Sequence, residues 1–155
     1  MEARAGTVMA LAADYYRIGY AVLTDGELYD WGLSEKAAGS QREAADKAKR
    51  WIELYRPDLI LTEMLTPQCR KGAHARSLIE ALAEMAEQSG ALHQAVLRVQ
   101  DYANKYAEID AICLRFPQIK LWAPEPRKFF EKEPRETIYF EAISLALAFD
   151  PSGLA

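Results

Sequence analysis

The sequence predicts an α/β protein, a mixed sheet with helices packed against it. Three observations carry that prediction. Residues 7–13, from Thr7 through Met9 and Leu11 to Ala13, form an unbroken apolar run, the pattern of a strand covered on both faces. Thr24-Asp25-Gly26 is a strong hairpin signal and joins two further strand-like segments, 17–23 and 27–33. A capped amphipathic helix then leads into a second apolar run, Leu59-Ile60-Leu61-Thr62-Glu63. A strand–helix–strand crossover of this kind implies parallel pairing with the first strand.

The elements follow in order. The turn at Asp14-Tyr15-Tyr16 is short, so the first three strands read as an antiparallel meander. Ser40 followed by Glu43 is a capping box. Ala44, Ala48, Trp51, Ile52 and Tyr55 then recur on one helical face. Arg56-Pro57-Asp58 ends that helix, because a residue before proline is driven out of the helical region. Pro67 to Gly72 reads as a polar, basic loop. Residues 74–89 read as a helix with Leu78, Leu82 and Met85 on one stripe, broken at Ser89-Gly90. Residues 91–115 read as a further helix, with Leu92, Val96, Val99, Tyr106 and Ile109 inward. Ile119 to Ala123 reads as a last short strand, 127–132 as a helical turn, and 136–149 as a final helix.

At 155 residues the chain fits a single domain over 1–155. A hydrophobic share of 50% and a charged share of 27% are those of a soluble globular chain. Cys69 and Cys113 form no CxxC pair and read as reduced thiols of a cytoplasmic protein. No apolar run is long enough to span a bilayer, and the first residues lack the apolar core of a signal peptide. The net charge of −4 weighs against a non-specific nucleic-acid binder. Two local patches keep nucleic acid in play: Arg70, Lys71, His74 and Arg76, then Lys120, Arg127, Lys128, Lys132 and Arg135. A solvated charged surface is the alternative for both. The chain has no GxxxxGK[ST] loop, which argues against an ATPase.

Three acids carry the chemistry. Asp14 ends the first strand, Glu63 ends the crossover strand, and Glu141 opens an apolar stretch of the last helix. Neighbouring parallel strands would set Asp14 and Glu63 side by side at the carboxyl edge of the sheet, where ligand sites gather. Close carboxylates repel, and a hard cation such as Mg²⁺ or Mn²⁺ relieves that repulsion. Two such cations about 3.5–4 Å apart can drive phosphodiester hydrolysis. Each acid also has a plainer reading: Asp14 as a turn residue bonding its own backbone, Glu63 as a strand-end acid, Glu141 as an exposed helix residue.

The motifs resemble those of the RuvC-type Holliday-junction resolvases of the ribonuclease H-like superfamily. The opening strand with its Asp, then a Gly-Tyr strand, is matched by Val8 to Asp14 and Arg17-Ile18-Gly19-Tyr20-Ala21-Val22. A Pro-Asp step before a strand ending in Glu is matched by Arg56-Pro57-Asp58 and Leu59 to Glu63. A strand, a proline and a lysine helix are resembled by Leu121 to Lys128, and the acid-bearing last helix by Glu141-Ala142-Ile143-Ser144-Leu145-Ala146.

The resemblance spans about residues 7–149. It implies a ribonuclease H-like mixed five-stranded sheet, three antiparallel strands followed by parallel crossovers, flanked by helices. It also implies a metal-dependent endonuclease on branched DNA, working as a homodimer. Asp14, Glu63 and Glu141 would hold Mg²⁺ or Mn²⁺. Read from the residues alone, Tyr15 and Tyr16 either stack on unpaired bases or pack in the fold, and Arg70, Lys71, Lys105, Arg127 and Lys128 either meet phosphates or form a solvated surface.

The chain departs from the family pattern in three places. Tyr15-Tyr16 stands where the family has Pro-Gly-Ser. The helix acid is Glu141 rather than Asp. Ile138 stands where the family carries an acid or histidine, three residues before the helix acid. These departures leave open a catalytically degenerate relative that kept the fold as a nucleic-acid-binding or scaffold protein. A two-domain phosphotransferase of related topology would need a phosphate-binding glycine loop and a second domain, and the chain has neither.

Overall fold

A computed structural model describes residues 6–98, 102, 104–125 and 134–149. Five strands form one sheet: β1 (Thr7–Ala13), β2 (Ile18–Thr24), β3 (Glu27–Ser34), β4 (Leu59–Glu63) and β5 (Leu92–Val96). Their order across the sheet is β3-β2-β1-β4-β5. β1 pairs antiparallel with β2, setting Ala10 opposite Ala21, and β2 pairs antiparallel with β3. β1 pairs parallel with β4, setting Ala10 beside Leu61, and β4 pairs parallel with β5. This is the expected mixed sheet, with the meander and the crossover where the sequence puts them.

Local chemistry fixes the joints. The β2–β3 hairpin turns on Asp25 and Gly26, whose φ values of 58° and 78° suit a type I′ turn. Helix α1 (Gln41–Tyr55) starts at Ser40, whose Oγ accepts from the Glu43 amide at 3.1 Å. It ends at Arg56, which takes the left-handed conformation (φ 46°) and returns its N–H to the Ile52 carbonyl. The Asp58 carboxylate then accepts from the Thr7 amide at 2.9 Å, tying the start of β4 to the start of β1.

The sheet separates two cores. Met9, Leu11 and Ala13 of β1 face α1 and α2 (Ala73–Gln88), meeting Trp51, Ile52, Leu78 and Leu82. The alternate residues Ala10 and Ala12 face α3 (Lys105–Arg115) and α4 (Thr137–Phe149), meeting Ile109, Ile112, Ile138 and Ile143. That explains the unbroken apolar run of β1: both its faces are covered. α4 is apolar almost all round and lies across β1 and β2. No helix among the described residues is long and apolar enough to cross a membrane.

Two expected elements are corrected. Residues 91–115 are not one helix. Gly90 takes a positive φ of 91°, the chain turns into β5, and among the described residues of this stretch only Lys105–Arg115 is helical, capped by Asn104, which accepts from the amides of Tyr106 and Ala107. His93, read as helical, is therefore on a strand. Residues 119–123 are not a strand. Pro117 opens a 3₁₀ turn over Pro117–Trp122 that buries Ile119 and leaves Leu121 exposed. The fifth strand of the sheet is β5. The helical turn expected at 127–132 lies outside the described residues.

Candidate functional site

The parallel pairing of β1 with β4 brings both strands out at the same sheet edge, and the acids follow them there. Asp14 is the first residue past β1. Its Oδ1 accepts from the amides of Tyr16 and Arg17, each at 2.8 Å, and its Oδ2 lies 3.3 Å from the Arg17 guanidinium. The short turn into β2 therefore rests on this side chain, as the plainer reading of Asp14 has it. Burial pushes the Asp14 carboxyl above its ordinary range. The backbone N–H of Tyr16 and the charge of Arg17 hold it down, while the charge of Glu141 pushes it further up.

Glu63 closes β4 and Glu141 sits one turn into α4, each with a side chain about nine-tenths buried. Lys71 lies between them. Its ammonium is 2.7 Å from the Ala13 carbonyl, 2.9 Å from Glu63 Oε1, and in close contact with Glu141 Oε2. The pairing with Glu63 falls short of hydrogen-bond geometry, so Glu63 Oε1 is buried with an ion pair only. Burial alone would lower the lysine pKa. The charges of Glu141 and Glu63 overcome that, and the net shift is upward, so Lys71 is an ammonium at neutral pH.

A second layer lies behind. Arg98, just past β5, sits 3.3 Å from Glu108 Oε1 and 4.0 Å from Glu141 Oε2. Buried Glu108 of α3 accepts at 2.7 Å from Ser144, one turn beyond Glu141 on α4. Asp14, Glu63, Glu141, Lys71, Arg98, Glu108, Arg70 and Lys105 all line one cleft of about 830 Å³.

The three acids singled out in the sequence thus meet at one cleft, and so do Arg70, Lys71 and Lys105. Lys71, expected on phosphate, has its ammonium on the acids. Tyr15 and Tyr16 sit beside Asp14, more than half exposed, with ring centroids 4.9 Å apart. Arg127 and Lys128 lie outside the described residues. His74 bonds the Ala38 carbonyl, and His93 bonds Thr62 and Glu87. Arg98 and Glu108 were not foreseen. Reading 92–96 as a strand would have put Arg98 at the same carboxyl edge as Glu63.

Solved structures share the fold. No known family model and no curated protein matches the chain. Among solved structures, Thermus thermophilus RuvC superposes with a TM-score of 0.61 at 13% identity, over 92% of each chain. RuvC of the same organism in complex with a Holliday junction substrate gives 0.61 at 14% identity, over 92% of this chain and 90% of that one. The fowlpox virus resolvase bound to its substrate Holliday junction DNA gives 0.60 at 12% identity, over 96% and 99%. The chain has the ribonuclease H-like fold of RuvC. At these identities the likeness concerns the fold, and the chemistry must be argued from the cleft itself.

The donor types at the cleft suit a hard divalent cation: three carboxylates and the Ala13 carbonyl are all oxygen. Their present arrangement does not close on one. Among the described residues, no three acidic, histidine or cysteine side chains are grouped to hold a metal ion as they stand, and the point between Glu63 and Glu141 belongs to Lys71.

Proposed function

We propose that the protein is a metal-dependent endonuclease that hydrolyses phosphodiester bonds of branched DNA. One observation carries the reading: Asp14, Glu63 and Glu141, from the first strand, the crossover strand and the last helix, line one cleft whose other charged groups are mostly basic. Asp14, Glu63 and Glu141 hold Mg²⁺ or Mn²⁺. Such a cation, when bound, supplies an activated water and neutralises charge on the leaving oxygen.

The chain's own residues do the rest. Arg70 and Lys105 on the cleft wall, with Arg127 and Lys128, neutralise phosphates around the scissile bond. Exposed Tyr15 and Tyr16 stack on bases unpaired at the branch point, which stabilises binding by about 1–3 kcal/mol per base. The protein works as a homodimer, because a four-way junction presents two strands for symmetric cutting. The likeness in fold to two resolvases solved on junction DNA supports the substrate class.

The deciding experiment is cleavage of a labelled four-way junction in Mg²⁺ and then Mn²⁺, for wild type and Asp14→Asn. Symmetric nicks that vanish in the variant are the expected result. A second reading, a degenerate relative that binds DNA without cutting it, is favoured by the buried, apolar Ile138 where the family carries a fourth ligand. Junction binding without cleavage in either metal would select it.

A further inference from the structure

We infer that Lys71 is the resident cation of this site: its ammonium holds the carboxylates together in the ion-free protein and competes with a divalent metal for the same oxygens. The inference rests on the metal-site reading above and adds a control that the reading does not contain.

The argument starts from where the three oxygens come from. Ala13 belongs to β1, Glu63 to β4 and Glu141 to α4, so one side chain bridges three elements. Two carboxylates and a carbonyl around one positive centre also form a hard-cation donor set. Charge gives the second step. Asp14, Glu63, Glu108 and Glu141 are faced by Arg17, Lys71 and Arg98. Arg70 and Lys105 line the same cleft, so its four carboxylates are already matched by basic side chains before any metal enters. A divalent ion added with Lys71 in place would put two positive centres within contact distance in a partly buried site, where like charges repel strongly. The ion and the ammonium therefore exclude one another.

The chain also gives Lys71 somewhere to go. It lies in the segment between β4 and α2, one residue before Gly72, the helix N-cap, and both flanking residues, Arg70 and Gly72, are exposed. A lysine head on a flexible four-carbon stem can leave the acids by rotating its own torsions. Its neighbour Arg70 lines the same cleft and is exposed.

Two measurements test this. The first is calorimetric titration of Mn²⁺ into wild type and Lys71→Met, together with the melting temperature of each protein with and without Mn²⁺. Removing the competitor should tighten Mn²⁺ binding at least tenfold. It should also lower the melting temperature of the ion-free variant, with Mn²⁺ restoring more of it than in wild type. Mn²⁺ binding by Lys71→Met equal to or weaker than wild type would overturn the inference and leave the metal site standing. No Mn²⁺ bound by either protein would overturn both.

The second measurement uses wild type alone and holds even if the variant does not fold. Lys71 should resist amine acylation relative to exposed Lys49 in ion-free protein and become several-fold more reactive as Mn²⁺ saturates. Reactivity that stays flat or falls as Mn²⁺ binds would overturn the proposal.

Discussion

Gly19 and Ile138 are packed so closely that a methyl group on Gly19 would lie 2.9 Å from Ile138 Cγ1. The contact joins β2 to α4 and explains a departure from the resolvase pattern. The position that carries an acid or histidine in that family is here fully buried against the sheet. Restoring an acid should therefore harm the protein. Ile138→Asp loses apolar burial and buries a carboxyl without a partner, at about 3 kcal/mol or more. Gly19→Ala should cost about 1–3 kcal/mol through overpacking. Chemical denaturation of both variants checks this, and an Ile138→Asp protein as stable as wild type would contradict it.

Asp14→Asn should separate folding from chemistry. Asparagine keeps the Oδ1 that accepts from Tyr16 and Arg17, so the turn survives. The sign of its effect on stability follows from the raised pKa. A carboxyl whose pKa is higher folded than unfolded keeps its proton longer in the fold, so stability falls as pH rises from about 3.8 through the folded value, and the full penalty persists above it. Asparagine carries no such penalty. Ion-free Asp14→Asn should be at least as stable as wild type at neutral pH, and junction cleavage should be lost. Melting curves at acidic and neutral pH, run beside the cleavage assay, read both.

Ser144 and Glu108 form a buried pair that holds Arg98 in the cleft wall. Ser144→Ala should destabilise the protein by about 1.5–3 kcal/mol, the range for a hydrogen bond to a charged group. In a Glu108→Ala background the same change should cost far less, because its partner is gone. A double-mutant cycle measures the difference, and additive effects would refute the coupling.

On the opposite face, Tyr20 donates to Asp30 at 3.3 Å and lies 2.9 Å from the Tyr55 hydroxyl. Burial, then Tyr55 and Asp30, push the Tyr20 hydroxyl far above its usual 10.0. The folded protein therefore keeps a proton that the unfolded chain releases near pH 10. The stability from this hydrogen-bonded hydroxyl is intact below pH 10 and is lost as pH rises beyond it. Tyr20→Phe should cost about 1 kcal/mol at neutral pH, with the gap to wild type narrowing in alkali. Denaturation at a series of pH values from neutral to strongly alkaline decides this.

What the sequence revealed depended on how local each signal is. The hairpin at Asp25-Gly26, the Ser40 cap and the Arg56 stop are written within a few residues, and the structure has all three. The neighbouring of Asp14 and Glu63 followed from one rule about crossovers. β5 escaped because it is a sheet edge: Leu92 and Gln94 are exposed and only Val96 is buried, so no clean alternation marks it. Its register comes from β4, far away in sequence. The 3₁₀ turn at Pro117–Trp122 deceived in the opposite way, since its apolar spacing imitates a strand although Leu121 is exposed. Lys71 was hardest to place. A lysine in a polar loop reads as solvated, and only the meeting of three elements turns it inward.

Glu141 lies on α4, the last element to be synthesised among those that build the cleft. A ribosome that has released only the segment through β5 has made Asp14 and Glu63 but not the helix that covers β1 and β2. Such a nascent chain exposes the apolar face of its sheet and lacks the third carboxylate. Completion of the core and completion of the acid cluster are thus one event in biosynthesis. An unfinished copy lacks one wall of the cleft, and it offers a chaperone an uncovered sheet to hold.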